Sequence, residues 1–432
     1  MGSIKLYMRL LIGYILHAPL RPAPFALGAK VLRLVRIIPR VEKCSRVHVK
    51  RVLVVSLTKF VGDAVMMLPL LDMLHDANPE IEIDVAVATQ IALFLREVHY
   101  LRRVHGIRTG SARIQSLRSY VTLWSILNYA RVQMREMHYD ICLLPRWGTD
   151  PYLSSYLAYL TDAPVRCGND PREEHEAKDY FRGSERLLTI AVKGGHGLPD
   201  AVRQLRLLPA CGLTTEFDLS SAATHSTKSL QQIAGSVDWE PLCERLGIDP
   251  QLRYGVVAPG ASKLVKMWPS EKFSEVILRL CERSNILFLV IGVRSEQAIG
   301  EEIVERSRGA AISIVGLTSI AETTAILSRA SLFVGNDSGT AHIAAGVGTP
   351  TVVISIHPKT VSTEVTSSPA RVRPVGPSHT VVQPDSPKSP CIGMCRFNEA
   401  HCILGVTTEA VHLAVERVMA LPSACSACLN QR

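Results

Sequence analysis

Charge is scarce in this chain: Asp, Glu, Lys and Arg make up 20% of its 432 residues while 47% are apolar. A large core can therefore form, and general disorder is excluded. The length exceeds one typical domain and favours two. The apolar run "LLIGYILHAPL" falls short of the roughly 20 residues that a bilayer span needs, and Pro19 ends it. No small-residue cleavage site follows it, which argues against a secretory signal. Leu6 stands where a myristoylation motif needs Ser or Thr. Helix-turn-helix, zinc-finger and RRM signatures are absent and the basic residues are dispersed, so nucleic acid is set aside as a partner. The cysteines number eleven, and Cys44, Cys142, Cys167, Cys211, Cys243 and Cys281 are scattered. A secreted disulfide framework is thereby excluded.

What charge there is has a sign and a place. The formal net charge is +9, which suits anionic company such as phosphate-bearing substrates or an acidic membrane surface. Residues 1 to 51 hold eleven Lys and Arg against one acid, Glu42. Within "ALGAKVLRLVRIIPR", Leu27, Val31, Leu34, Val35 and Ile38 recur at helical spacing, with Lys30, Arg33, Arg36 and Arg40 on or near the other side. That is a basic amphipathic helix suited to an anionic interface. The competing reading is a surface helix packed on its own protein. The expectation is a cytoplasmic protein that touches a membrane without crossing it.

From residue 52 the pattern alternates. "VLVVSL", "IEIDVAVA" and "YDICLLPR" read as strands, with helices over "DAVMMLPLLDMLHDA" (kinked or restarted at Pro69) and "YLSSYLAYL". Residues 170–245 are more polar and carry the passage between halves. "YGVVA", "ILFLVIG", "AISIV", "SLFVGN" and "TPTVVISI" are strands of a second block, interleaved with helices. The Pro- and Ser-rich tract 357–390 reads as irregular, and "TTEAVHLAVERVMA" closes the fold as a helix. Such alternation implies parallel sheets covered on both faces. The expected division is a basic segment 1–50, α/β domains over 51–245 and 246–390, and a Cys-rich segment 391–432. In open parallel sheets ligands bind beyond the carboxyl ends of strands.

Four strand ends carry chemistry. In "TKFVGDAV", Gly62 permits a sharp turn and Asp63 stands where a helix begins, as an N-cap or as a general base. In "APGASKLVKMWPS", Ser262 and the small residues around it let a phosphate approach, and Lys266 would neutralise it. In "IGVRSE", Glu296 could accept sugar hydroxyls, or merely complement a helix dipole. No GxGxxG is present, yet "VGNDSGTAHIAAGVGTPTVVIS" reads as strand, polar turn and helix. The free amides of the first helical turn, Ser338 to His342 with Gly339 among its small residues, would make an anion site, and the Ser338 and Thr340 hydroxyls and the His342 imidazole would add donors. Asp337 would repel a phosphate head-on, so it is expected to orient hydroxyls, amides or His342. The bland reading is a capped helix in a tightly packed domain. Together the four ends point to a bound nucleotide diphosphate with a carboxylate opposite it.

The stretches "VLVVSLTKFVGDAVMMLPLLDMLHDANPEIEIDVAV", "PGASKLVKMWP", "VGNDSGTAHIAAGVGTPTVVIS" and "CILGVTTEAV" resemble glycosyltransferase family 9, typified by the ADP-heptose:lipopolysaccharide heptosyltransferases. The resemblance runs from about residue 51 to 420 and implies a GT-B fold, two Rossmann-like domains facing across a cleft. It further implies inverting transfer of a heptose-like sugar, with ADP-heptose as donor and a lipopolysaccharide core or other lipid-linked glycan as acceptor. The place would be the cytoplasmic face of a bacterial inner membrane, and no cofactor would be required. Asp63 would then be the base, Lys266 would hold the donor phosphates, Glu296 the ribose, and Asp337 to His342 the diphosphate and sugar. The chain departs from the family at Ser56, where Arg or Lys is usual, and in a loop to Gly62-Asp63 one residue longer. Alternatives are a protein O-heptosyltransferase, a nucleotide-sugar epimerase on the same fold, or a scaffold with a vestigial sugar site. Cys391, Cys395, Cys402, Cys425 and Cys428, spaced C-x3-C-x6-C with a later C-x2-C, could hold structural zinc or iron. The other reading is reduced thiols without a metal.

Overall fold

The structure, a computed structural model, describes residues 49–109, 125–126, 128–147, 150, 152–170, 187–195, 197–214, 221–284, 286–362, 365, 367–376, 378–392 and 395–420. The basic helix expected over 26–40, with Cys44, Cys425 and Cys428, lies outside these residues. Among them, no helix is long and apolar enough to cross a membrane.

The apolar runs become strands because a strand covered on both faces must be apolar along its whole length. In the first sheet these are β1 Arg51–Ser56, β2 Glu82–Ala88, β3 Leu101–Ile107, β4 Ile141–Leu144, β5 Val165–Asn169 and β6 Ile190–Val192. They lie in the order β3-β2-β1-β4-β5-β6, all parallel. The second sheet comprises β7 Tyr254–Ala258, β8 Leu287–Val290, β9 Ala311–Ser313, β10 Leu332–Asn336, β11 Thr351–Ile354 and β12 His379–Val382. Its order is β12-β11-β10-β7-β8-β9, again all parallel. Numbered from its own first strand, each sheet reads 3-2-1-4-5-6, the doubly wound dinucleotide-fold order. The winding reverses between β1 and β4 in one sheet and between β7 and β10 in the other, and beyond those reversals a ligand finds its crevice.

By contacts the chain forms two compact units, Met1–Lys59 with Met73–Asp218, and Phe60–Asp72 with Leu219–Arg432. The first has a core around Leu53, Val55, Tyr139 and Leu157. The second is built around Trp268, Phe273, Phe288 and Val334, with Trp268 edge-on to Phe273 at 5.0 Å between ring centroids.

Several local expectations change. The helix expected from Asp63 begins at Val61 and continues through Pro69 to Ala77 without a restart. Asp63 is therefore in its first turn and is not its N-cap. The tract 357–390 is not irregular throughout: it holds a helical turn, Pro369–Val372, and the edge strand β12. Strands β3, β5 and β6 arise from segments where no strand was expected.

Candidate active site

At the winding reversal of the second sheet, two loops are tied by adjacent residues. Asn336 ends β10 fully buried. Its Nδ2 donates to the Pro259 carbonyl at 2.6 Å, and its Oδ1 accepts the Trp268 N–H at 3.1 Å. The loop after β7 is thus pinned at both ends by one amide side chain. The next residue, Asp337, pairs with Lys266 Nζ at 2.9 Å, the two side chains being 14% and 20% exposed. Such a pair is largely shielded from water, so it is held more firmly than a surface ion pair. Lys266, expected to neutralise a phosphate, thus also has an acid partner. Asp337, expected to orient hydroxyls, amides or His342, pairs with that lysine and also acts electrostatically on His342.

Beyond Asp337 the chain turns into the helix Gly339–Gly346, with Ser338 as an extended N-cap. The Ser338 hydroxyl makes no capping bond to a backbone amide but pairs with Thr340 Oγ1 at 2.9 Å. The Ala341 N–H donates to the Ser338 carbonyl at 3.2 Å, while among the described residues no acceptor stands against the Gly339 and Thr340 amides, at the positive end of the helix dipole. Glycine is required here on two sides. A Cβ at Gly339 would lie 2.7 Å from Val61 Cβ, and one at Gly62 would lie 2.9 Å from His342 Cδ2. The starts of the two helices pack directly, all within the second unit because Phe60–Asp72 belongs to it. His342 is buried, and burial lowers its pKa, although Asp337 and Asp63 pull it back up in part. The imidazole is therefore neutral at pH 7, and its Nδ1 has no hydrogen-bond partner among the described residues.

Glu296 serves the neighbouring strand end. Its carboxylate accepts the Val293 N–H at 2.9 Å and fills a niche against Gly260 and Gly292, where any Cβ would strike it. Burial raises its pKa, and the bond from Val293 only partly opposes that.

The candidates therefore fall together unequally. Lys266 joins Asp337, Asp63 lies within electrostatic reach of His342, and Glu296 reaches the loop after β7 through Gly260. Ser262 is exposed on that same loop. From sequence, Gly260 was read only as part of the turn after its strand and Asn336 only as the break in an apolar run, neither as a residue that shapes the site. Of the cysteines, Cys391, Cys395 and Cys402 come together around His401, a residue not expected there.

Comparison with known proteins now bears on these features. The family description "Glycosyltransferase family 9 (heptosyltransferase)" matches residues 131–401, more than half of the chain. Lipopolysaccharide heptosyltransferase 3 of Escherichia coli is 25% identical over 297 residues, 68% of this chain and 80% of that protein. Among solved structures, the E. coli heptosyltransferase WaaC with ADP superposes with a TM-score of 0.61 at 19% identity, covering 85% of this chain and 99% of that one. A glycosyl transferase family 9 structure from Veillonella parvula DSM 2008 superposes with a TM-score of 0.61 at 17% identity, over 86% and 97%. These structural likenesses bear on the fold, and the pair of doubly wound sheets is the GT-B fold.

Proposed function

The chain belongs to glycosyltransferase family 9, and on that premise we propose that it transfers a heptose from ADP-heptose to a lipopolysaccharide core, with inversion at the anomeric carbon. The relative named for lipopolysaccharide heptosyl transfer and the ADP in the WaaC structure support the choice of substrates. One observation carries the reading: the Lys266–Asp337 pair beside an uncapped helix start, at the winding reversal where a doubly wound sheet binds nucleotides.

The donor diphosphate lies against the amides of Ser338 to Thr340 in this reading. Lys266 has three N–H donors and the ion pair uses one, so the others can serve phosphate oxygens while Asp337 keeps the ammonium in place. Glu296 accepts from the ribose hydroxyls. Asp63 takes the proton of the acceptor hydroxyl, whose oxygen then attacks the anomeric carbon. The bond from that carbon to the phosphate oxygen breaks, and the leaving charge is stabilised by Lys266 and the helix amides. His342, neutral, can donate to the sugar or diphosphate without adding a charge. The protein O-heptosyltransferase and epimerase alternatives have no feature of this site in their favour.

Asp63 lies outside the residues matched to the family, so its role is the first to test. Asp63→Asn should lower kcat by roughly 100- to 10,000-fold, as loss of a general base does, with ADP-heptose affinity nearly unchanged. Near-normal turnover would remove Asp63 from the chemistry. The basic segment 1–50 supports a place on the cytoplasmic face of a bacterial inner membrane. Cosedimentation with anionic vesicles that weakens as salt rises is the expected result, and equal binding to neutral vesicles would contradict it.

A further inference from the structure

We propose that Cys391, Cys395, His401 and Cys402 bind one zinc ion in a closed, four-coordinate site. Their four donor atoms lie within 4.8 Å of one another. His401 Nδ1 is 3.6 Å from Cys391 Sγ, 3.8 Å from Cys395 Sγ and 3.6 Å from Cys402 Sγ. An imidazole nitrogen carries at most one proton, so it cannot satisfy three sulfurs by hydrogen bonding. A central cation can: tetrahedral zinc with its usual sulfur and nitrogen bond lengths places S and N about 3.6 Å apart. The sulfurs are not paired in disulfides, and the spacing C-x3-C-x5-H-C gives three soft donors and one borderline donor, a common structural zinc set.

The surroundings hold the donors in place. Phe397 stacks on the His401 ring at 3.9 Å between centroids and 19° between planes, which fixes the direction of Nδ1. The Arg396 N–H points at Cys391 Sγ at 3.5 Å, as expected for a thiolate that needs its charge balanced. Cys391 and Cys402 are part of the second unit's core. With four protein donors no position stays open for substrate, so the ion is structural and its binding releases the thiol protons.

The ion would brace the donor loop through one short relay. Cys402 opens the turn Cys402–Gly405. The carbonyls of Leu404 and Val406 accept Lys272 Nζ at 2.9 and 2.8 Å, and Val406 also accepts Trp268 Nε1 at 3.0 Å. Trp268 is the residue pinned by Asn336, two positions after Lys266. Zinc binding rests on the four donors alone, whereas its effect on donor affinity rests on the transferase reading above.

The test is metal analysis of the full chain purified without chelator, where about one zinc per chain is expected. Absence of metal, or iron in its place, would overturn the proposal. Cys395→Ser should lose the zinc, and retention would overturn the ligand set. Should that variant not fold, His401→Cys should keep the ion and shift the visible bands of the cobalt-substituted protein. Unshifted bands would remove His401 from the site. The double variant Cys425→Ser/Cys428→Ser should hold zinc in full, and a loss there would move the site to the C-terminal pair. Removing the ion from the wild type should lower Tm, restored by added zinc, and an unchanged Tm would overturn the structural role. A weaker ADP affinity in that metal-free protein would tie the brace to the donor loop, whereas an unchanged affinity would confine it to stability.

Discussion

A glycine beside a carboxylate exposes how a strand end can be shaped by what it lacks. Gly260 leaves the space that the Glu296 carboxylate fills, and Gly292 leaves the other side of it open. Because the obstacle is the tip of a flexible side chain, Gly260→Ala should displace the carboxylate and not the backbone. The expected stability change is small, about 1 kcal/mol or less, while the KM for the donor rises as much as in Glu296→Ala. The double variant should be no worse than either single one, since both remove the same interaction, and additive losses measured by steady-state kinetics would separate the two residues. Lys266 poses the opposite case. Lys266→Met leaves Asp337 without its partner, placing an uncompensated carboxylate where the diphosphate must bind. Donor affinity should drop more than tenfold, and Lys266→Met/Asp337→Asn should recover part of it when measured by calorimetry. Lys266, Glu296 and Asp337 were conspicuous in the sequence as charges in the segments that follow apolar runs. Asn336 was not, because a polar residue closing a strand looks like punctuation until its two bonds are seen.

Elements were legible in proportion to how completely they are covered. Inner strands β1, β2, β4, β7, β8, β10 and β11 are flanked on both sides and must be apolar, so they announced themselves. Edge strands carry no such demand, and of the four only β9, within "AISIV", was legible. In β3, "LRRVHGI", only His105 and Ile107 are fully buried, β6 has three residues, and β12 emerges from a Pro- and Ser-rich tract. Inner β5, "VRCGN", was hidden by Arg166, which is buried and donates from Nε to the Leu187 carbonyl at 2.7 Å. The edge of the first sheet is closed by charge. Arg102 donates twice to Asp84, at 2.9 and 2.7 Å, and Tyr139 Oη donates at 2.6 Å. Burial alone would raise the Asp84 pKa, but the bonds from His105, Arg102 and Tyr139 outweigh it and bring the pKa down to about 2. A carboxylate whose folded pKa lies below its unfolded value stabilises the fold above the unfolded pKa, and that contribution is lost as pH falls through the folded one. From near pH 5 down to pH 2 the native state should therefore lose roughly 2 kcal/mol through this residue. Asp84→Asn should flatten the fall of Tm with acid across that window, and an unchanged slope would assign the acid sensitivity elsewhere.

Across the whole molecule, the placement of every proposed binding residue in one of the two units has a thermodynamic consequence. Each unit has its own sheet and its own buried core, so a single cooperative transition is not the default for a chain of this length. Lys266, Glu296, Asp337 to His342, and also Asp63, all belong to the second unit. A nucleotide that binds folded protein alone stabilises only what unfolds with its site, by about 2.7 kcal/mol at a hundredfold excess over Kd. Calorimetry should therefore resolve two transitions, with ADP raising the one that belongs to the second unit and leaving the other within error. Lys266→Met should abolish that shift, while Asp63→Asn should preserve it, because a base for the acceptor hydroxyl has no part in holding the nucleotide. Loss of the ADP shift in Asp63→Asn would make Asp63 a donor-binding residue and require another base. The same two variants thus separate binding from chemistry within one unit of one chain.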